Sequence, residues 1–228
     1  MISIDTLDGT ARFDAYIAEP KGTPRAAIVV IQEIFGVNEG IRRKCDGWAE
    51  QGYLALAPDL FHRFAPSVQL DPDVPDQFQR ALELMKQFDQ DQGVADIEAT
   101  IRAARARGVG KVGAVGYCLG GRLAYMTAAR TDVDASVGYY GVGLDNLLGE
   151  KHAIARPLLL HIAGDDHFVT KDAQAAIHAG LDDHLGVTIH DYAGEDHGFA
   201  AEMGERRSEE AARLADERTA AFFAEHLE

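Results

Sequence analysis

Cysteine and tryptophan are scarce in this sequence: Cys45, Cys118 and Trp48 are all there is of either. So few cysteines argue against a disulfide-stapled fold, and in an intracellular chain even one disulfide is not expected. No stretch reaches the roughly 18 consecutive apolar residues of a membrane-spanning helix. The N-terminus, Met1-Ile2-Ser3-Ile4-Asp5, lacks a charged segment leading into an apolar run, so no secretory signal is read and the cytoplasm is the expected compartment. Positive charge is in deficit, 22 Lys and Arg against 37 Asp and Glu, a net charge of −15. That balance argues against nucleic acid and anionic membranes as partners. It leaves room for an anionic small substrate, because one local arginine can govern a pocket. There is no paired-Cys or H-x-x-x-H spacing with a filled ligand set, and no glycine-rich phosphate loop after the first strand, so neither metal nor cofactor is expected. No internal repeat or low-complexity stretch occurs.

What is present is a globular composition, 46% apolar and 8% aromatic over 228 residues, enough for one domain with a substantial core. Residues 2–7 and 10–17 read as a hairpin across Asp8-Gly9. Residues 26–31 form a continuous Val/Ile-rich run, as expected of a strand buried on both faces. Further strands are read at 53–57, 111–115, 135–140, 158–163 and 187–192. Helices are read at 37–51 (capped by Asn38), 77–88, 94–107, 119–130, 171–182 and 205–226, with an irregular proline-bearing loop at 61–75. Strands alternating with helices predict an α/β fold with a mostly parallel sheet covered on both faces.

Gly116-Tyr117-Cys118-Leu119-Gly120 carries the most information. It has the G-x-nucleophile-x-G form of a nucleophile elbow, with cysteine at the nucleophile position, a strand before it and a helix after it. The turn must be sharp, and glycine tolerates the crowding that results. A helix starting at the turn supplies free N–H groups and partial positive charge, which favour a thiolate. An acid candidate follows the 158–163 strand in Gly164-Asp165-Asp166-His167-Phe168. A histidine candidate, His197, follows the last strand in Glu195-Asp196-His197-Gly198-Phe199. Nucleophile, acid and histidine thus appear in the chain order of α/β-hydrolases, each after a strand. His161 and His190 lie inside strands and His167 adjoins the acid, so all three read as structural. Cys45 and Trp48 share a helix face and read as packing residues.

With these motifs the chain resembles the dienelactone hydrolases (carboxymethylenebutenolidases) of the α/β-hydrolase superfamily. The resemblance rests on Gln32-Glu33-Ile34-Phe35-Gly36-Val37-Asn38, Ala57-Pro58-Asp59-Leu60, Gly116 to Gly121, Gly138-Tyr139-Tyr140-Gly141-Val142-Gly143, Asp166-His167-Phe168-Val169 and His197-Gly198-Phe199-Ala200. It implies a single α/β-hydrolase domain over residues 1–228 that hydrolyses carboxylic esters or lactones. It implies a Cys118–His197–Asp166 triad, preferring Asp166 to Asp165, and Glu33 as a fourth working residue that takes the thiol proton. The N–H groups of Ile34 and Leu119 become the expected oxyanion hole. Phe35, Tyr139 and Arg80 are candidates for substrate contact.

The sequence departs from the family at the substrate-carboxylate arginines. The position four residues after the histidine is Ala201, and the earlier one falls near Phe78, with Arg80 two residues on. Arg206 and Arg207 are assigned to the last helix. The natural ester therefore stays open, with a general small-ester hydrolase or thioesterase as the alternative. A redox sensor pairing Cys118 with Cys45 and a noncatalytic binding protein are further alternatives. A small-molecule ester or lactone is the one partner read, and a monomer is the expected state.

Overall fold

The computed structural model describes residues 1–228. Eight strands form one sheet in the order β1-β2-β4-β3-β5-β6-β7-β8. These are β1 (Ile2–Asp5), β2 (Arg12–Ala18), β3 (Ala27–Ile31), β4 (Leu54–Pro58), β5 (Val112–Tyr117), β6 (Ala135–Tyr139), β7 (Leu158–Ala163) and β8 (Val187–Tyr192). Only the β1–β2 and β2–β4 pairings are antiparallel. The helices are α1 (Glu39–Glu50), α2 (Pro75–Met85), α3 (Gln90–Arg105), α4 (Leu119–Arg130), α5 (Lys171–Leu181) and α6 (Glu209–Leu227), with a 3₁₀ segment at Leu144–Ala153.

The alternation of side chains along each central strand sets the two layers. Ala27, Val29 and Ile31 of β3 face the side packed by α2, α3, α4 and α5. Ile28 and Val30 face α1 and α6. All five β3 residues are fully buried, and each large aliphatic among them contributes about 1.5–3 kcal/mol by leaving water. The strand is thus held firmly where the chain leaves it.

The chain runs from β3 through α1 to β4 on one side, then returns to place β5 on the other side of β3. Such a reversal opens a crevice at the carboxyl edge of the sheet. The register Ile31↔Gly116 puts Gln32-Glu33-Ile34 beside Tyr117-Cys118-Leu119. Asn38 caps α1 as expected, its side chain accepting from the Ile41 N–H.

Several boundaries differ from the sequence expectation: α3 starts four residues early, at Gln90, and two further shifts lie near the crevice. Residues 61–75 end in a helix start, because Pro75 occupies the first turn of α2, where a missing N–H costs nothing. The last helix starts at Glu209 behind the N-cap position Ser208, so Arg206 and Arg207 lie in the preceding loop and not in the helix. No helix is long and apolar enough to cross a membrane.

Candidate active site

Cys118 sits between β5 and α4 with φ 54° and ψ −113°, a backbone conformation costing about 1–3 kcal/mol for a non-glycine residue. Its neighbours make the turn feasible. A Cβ on Gly116 would come within 1.9 Å of the Gly120 carbonyl oxygen, and one on Gly121 within 2.3 Å of the Tyr139 carbonyl oxygen. Glycine is required at both positions because backbone packs on backbone there.

His197 and Asp166 meet across the β7 and β8 loops, with Nδ1 of His197 2.8 Å from Oδ2 of Asp166. Both side chains are almost wholly buried, and the other Asp166 oxygen accepts from the Phe168 N–H at 2.8 Å. His197 Nε2 has no well-formed hydrogen bond within the protein. Burial alone would lower the His197 pKa, but Cys118 and the Asp166 carboxylate outweigh it and raise the pKa well above 6.5. Asp165 is exposed and pairs with Lys171. His167 is also exposed and pairs with Asp196.

Glu33 is buried just beyond the end of β3, and its partner is Arg206. Nη2 of Arg206 donates to Oε2 of Glu33 at 3.3 Å, while Oε1 has no partner. Burial opposes the charge on Arg206, and the Glu33 carboxylate more than restores it, so the arginine pKa is raised. Arg206 also lies over the Phe35 ring, 5.5 Å from its centroid. The sequence reading placed Arg206 in the last helix and gave it no site role. Its nearness to the Ala201 position was the one available signal.

A cavity of about 290 Å³ opens onto Cys118 and His197. Ile34, Phe35, Phe78, Leu82, Met85 and Val142 give it an apolar wall, and Arg122, Arg206 and Gln90 supply polar groups. The Ile34 N–H donates to no other backbone group. Leu119 is the first residue of α4, where an N–H has no intrahelical acceptor. Both residues line the cavity that opens onto Cys118.

Two of the candidate substrate contacts are corrected. Arg80 is exposed and does not line the cavity. Phe78, Leu82 and Met85 of α2 face the cavity, and Arg80, two residues beyond Phe78, falls on the far side of that helix. Tyr139 is fully buried on the α6 side of the sheet. Its hydroxyl donates to Asp216 at 2.9 Å and lies 2.6 Å from the Thr219 hydroxyl. The phase of β6 turns its ring away from the cavity. Phe35 does line the cavity. Cys45 is fully buried in the α1 layer, and burial pushes its thiol pKa up. It is not disulfide-bonded, and neither is Cys118.

A protein of Azospirillum brasilense is 47% identical over 94% of each chain. The carboxymethylenebutenolidase of Pseudomonas putida is 42% identical over 98% of this chain and 95% of its own. The crystal structure of a Klebsiella pneumoniae protein superposes with a TM-score of 0.82 at 29% identity, covering 98% of each chain. The profile of the dienelactone hydrolase family matches residues 13–227. The chain therefore belongs to the dienelactone hydrolase family, hydrolases of ester and lactone bonds on the α/β-hydrolase fold.

Proposed function

We propose that the protein hydrolyses a small carboxylic ester or lactone by acyl transfer through Cys118, His197 and Asp166. The reading rests chiefly on one observation: His197 is held by Asp166 at 2.8 Å and has its other nitrogen free beside a cysteine at a strained elbow. An imidazole oriented in this way can take a proton from the thiol and return it to a leaving group.

The sulfur of Cys118, as thiolate, adds to the ester carbonyl carbon, and the electron pair moves to the carbonyl oxygen. The Ile34 and Leu119 N–H groups stabilise that oxygen. Collapse breaks the bond to the alcohol or enol oxygen, which leaves with the proton held on His197 Nε2. The thioester then accepts water as His197 removes its proton, the C–S bond breaks, and the acid is released. Asp166 keeps the imidazole in the required tautomer and stabilises its charged form.

By resemblance to the family, Glu33 is the first acceptor of the thiol proton, which passes on to His197 before the leaving group departs. Arg206 pairs with Glu33 beside the site, and so supplies the partner that Ala201 does not. The apolar wall favours a substrate with a hydrophobic body. It is also the observation that keeps a general small-ester substrate alongside a dienelactone.

Steady-state hydrolysis of a neutral small ester and a dienelactone by the wild type and Cys118→Ala tests the reading. Loss of about a thousandfold or more in kcat on every substrate turned over is expected. Near-wild-type turnover by Cys118→Ala would sink it.

A further inference from the structure

The cavity holds a second arginine that neither the triad nor Glu33 uses. Arg122 lies in the first turn of α4, its N–H donating to the Cys118 carbonyl at 3.2 Å. Its guanidinium is anchored through Nε and Nη1, which leaves Nη2. Nε donates to Oε1 of Gln90 at 2.5 Å, and Nη1 donates to the Val142 and Gly143 carbonyls at 3.3 and 2.7 Å. The loop is shaped around this group: Gly143 has φ +75°, and a Cβ there would lie 2.3 Å from Nη1.

No carboxylate forms an ion pair with Arg122, so burial dominates its electrostatics and lowers its pKa. Most arginines of this acidic chain pair with Asp or Glu, and Arg206 itself pairs with Glu33. The two N–H bonds of Nη2 and the side-chain amide N–H groups of Gln90 donate to nothing in the protein, and both residues line the cavity. A charged Nη2 beside a side-chain amide can offer one donor to each oxygen of a two-oxygen anion. Arg122 and Arg206 also stand on different walls. Arg206 adjoins Glu33, Phe35 and Gly198, whereas Arg122 adjoins Gln90, Val142 and Gly143.

We propose that Arg122 and Gln90 form a carboxylate-binding subsite that selects substrates carrying an anionic group remote from the ester carbonyl. The proposal builds on the reading of Cys118 as the nucleophile and adds the specificity of the same cavity. Arg122 is a specificity residue and takes no part in bond making. With a net charge of −15, the chain repels anions at long range, so a local cation is what allows one to be held.

Calorimetric titration with hexanoate and hexanamide tests the subsite, since neither ligand carries an ester bond. In the wild type hexanoate binds more tightly. In Arg122→Gln the hexanoate advantage shrinks by about tenfold to a hundredfold, as expected for loss of a charged hydrogen-bonding partner. Arg122→Lys, which keeps the charge and loses the planar group anchored on Gln90 and the Val142–Gly143 loop, gives an intermediate value. The same variants shift kinetic preference: the ratio of kcat/KM for the monomethyl over the dimethyl ester of adipic acid falls in Arg122→Gln. Equal binding of hexanoate and hexanamide by the wild type, or an equal loss for both ligands in Arg122→Gln, overturns the subsite. The titration reads binding alone, so its failure leaves hydrolysis by Cys118 standing, and failure of Cys118 as nucleophile leaves the titration valid.

Discussion

Arg206 holds Glu33 through a 3.3 Å contact between Nη2 and Oε2, where the carboxylate side chain is only 10% exposed and the guanidinium 24%. A buried charge left without its partner is costly, on the order of 3–5 kcal/mol. Arg206→Met should therefore destabilise the fold by a few kcal/mol. Adding Glu33→Gln should recover part of the loss by removing the orphaned charge. A double-mutant cycle from urea unfolding measures this directly, and additive effects would show that the pair is not coupled.

The elbow carries a second prediction. Cys118 is held at φ 54°, where glycine rests without strain and alanine does not. Cys118→Gly should be more stable than Cys118→Ala by about 1 kcal/mol, the reverse of the usual order inside regular structure. Chemical denaturation of the two inactive variants reads the difference.

Much of this site could be read from the sequence because each part is local. The elbow glycines, the strand before Cys118 and the loops bearing Asp166 and His197 are fixed by patterns a few residues long. Arg206 was not legible, because its role depends on a loop that brings it back to Glu33, 173 residues earlier. Arg80 and Tyr139 were misplaced for a related reason. Whether a helix or strand residue points into a cavity depends on the phase of its element against neighbours that the sequence does not position. The start of α6 was set too early because the polar run before Ser208 has helical composition but belongs to the loop packed over Glu33.

Beneath the site, His161 is buried with Nδ1 2.8 Å from the Tyr192 hydroxyl and Nε2 2.9 Å from the Thr219 hydroxyl. Burial, and then the charges of His190 and Arg218, push its pKa well below 6.5. The folded state therefore binds fewer protons than the unfolded chain below pH 6.5, so His161 makes stability fall as the pH drops through that value. The contribution has a limiting slope of about 1.4 kcal/mol per pH unit. His161→Gln should flatten the acid limb of a Tm-against-pH curve relative to the wild type. Parallel curves would contradict this account of His161.

His197 titrates in the opposite sense. Its pKa is raised, with Cys118 and Asp166 as the favourable causes, so its contribution to stability is present below pH 6.5 and is lost as the pH rises through the folded value. Asp166→Asn removes one of those causes. The His197 imidazole, followed by NMR, should titrate at lower pH in that variant, and an unchanged titration would mean that Asp166 does not set the charge state of the base.

The central claim is that Cys118 carries the acyl group. Rapid quenching of the protein with an activated small ester, followed by mass spectrometry of its peptides, tests it most directly. A mass increase equal to the acyl group on the Cys118 peptide is predicted, more persistent in His197→Gln and absent from Cys118→Ala. An acyl group on any other residue, or Cys118→Ala hydrolysing the ester at the wild-type rate, would contradict it.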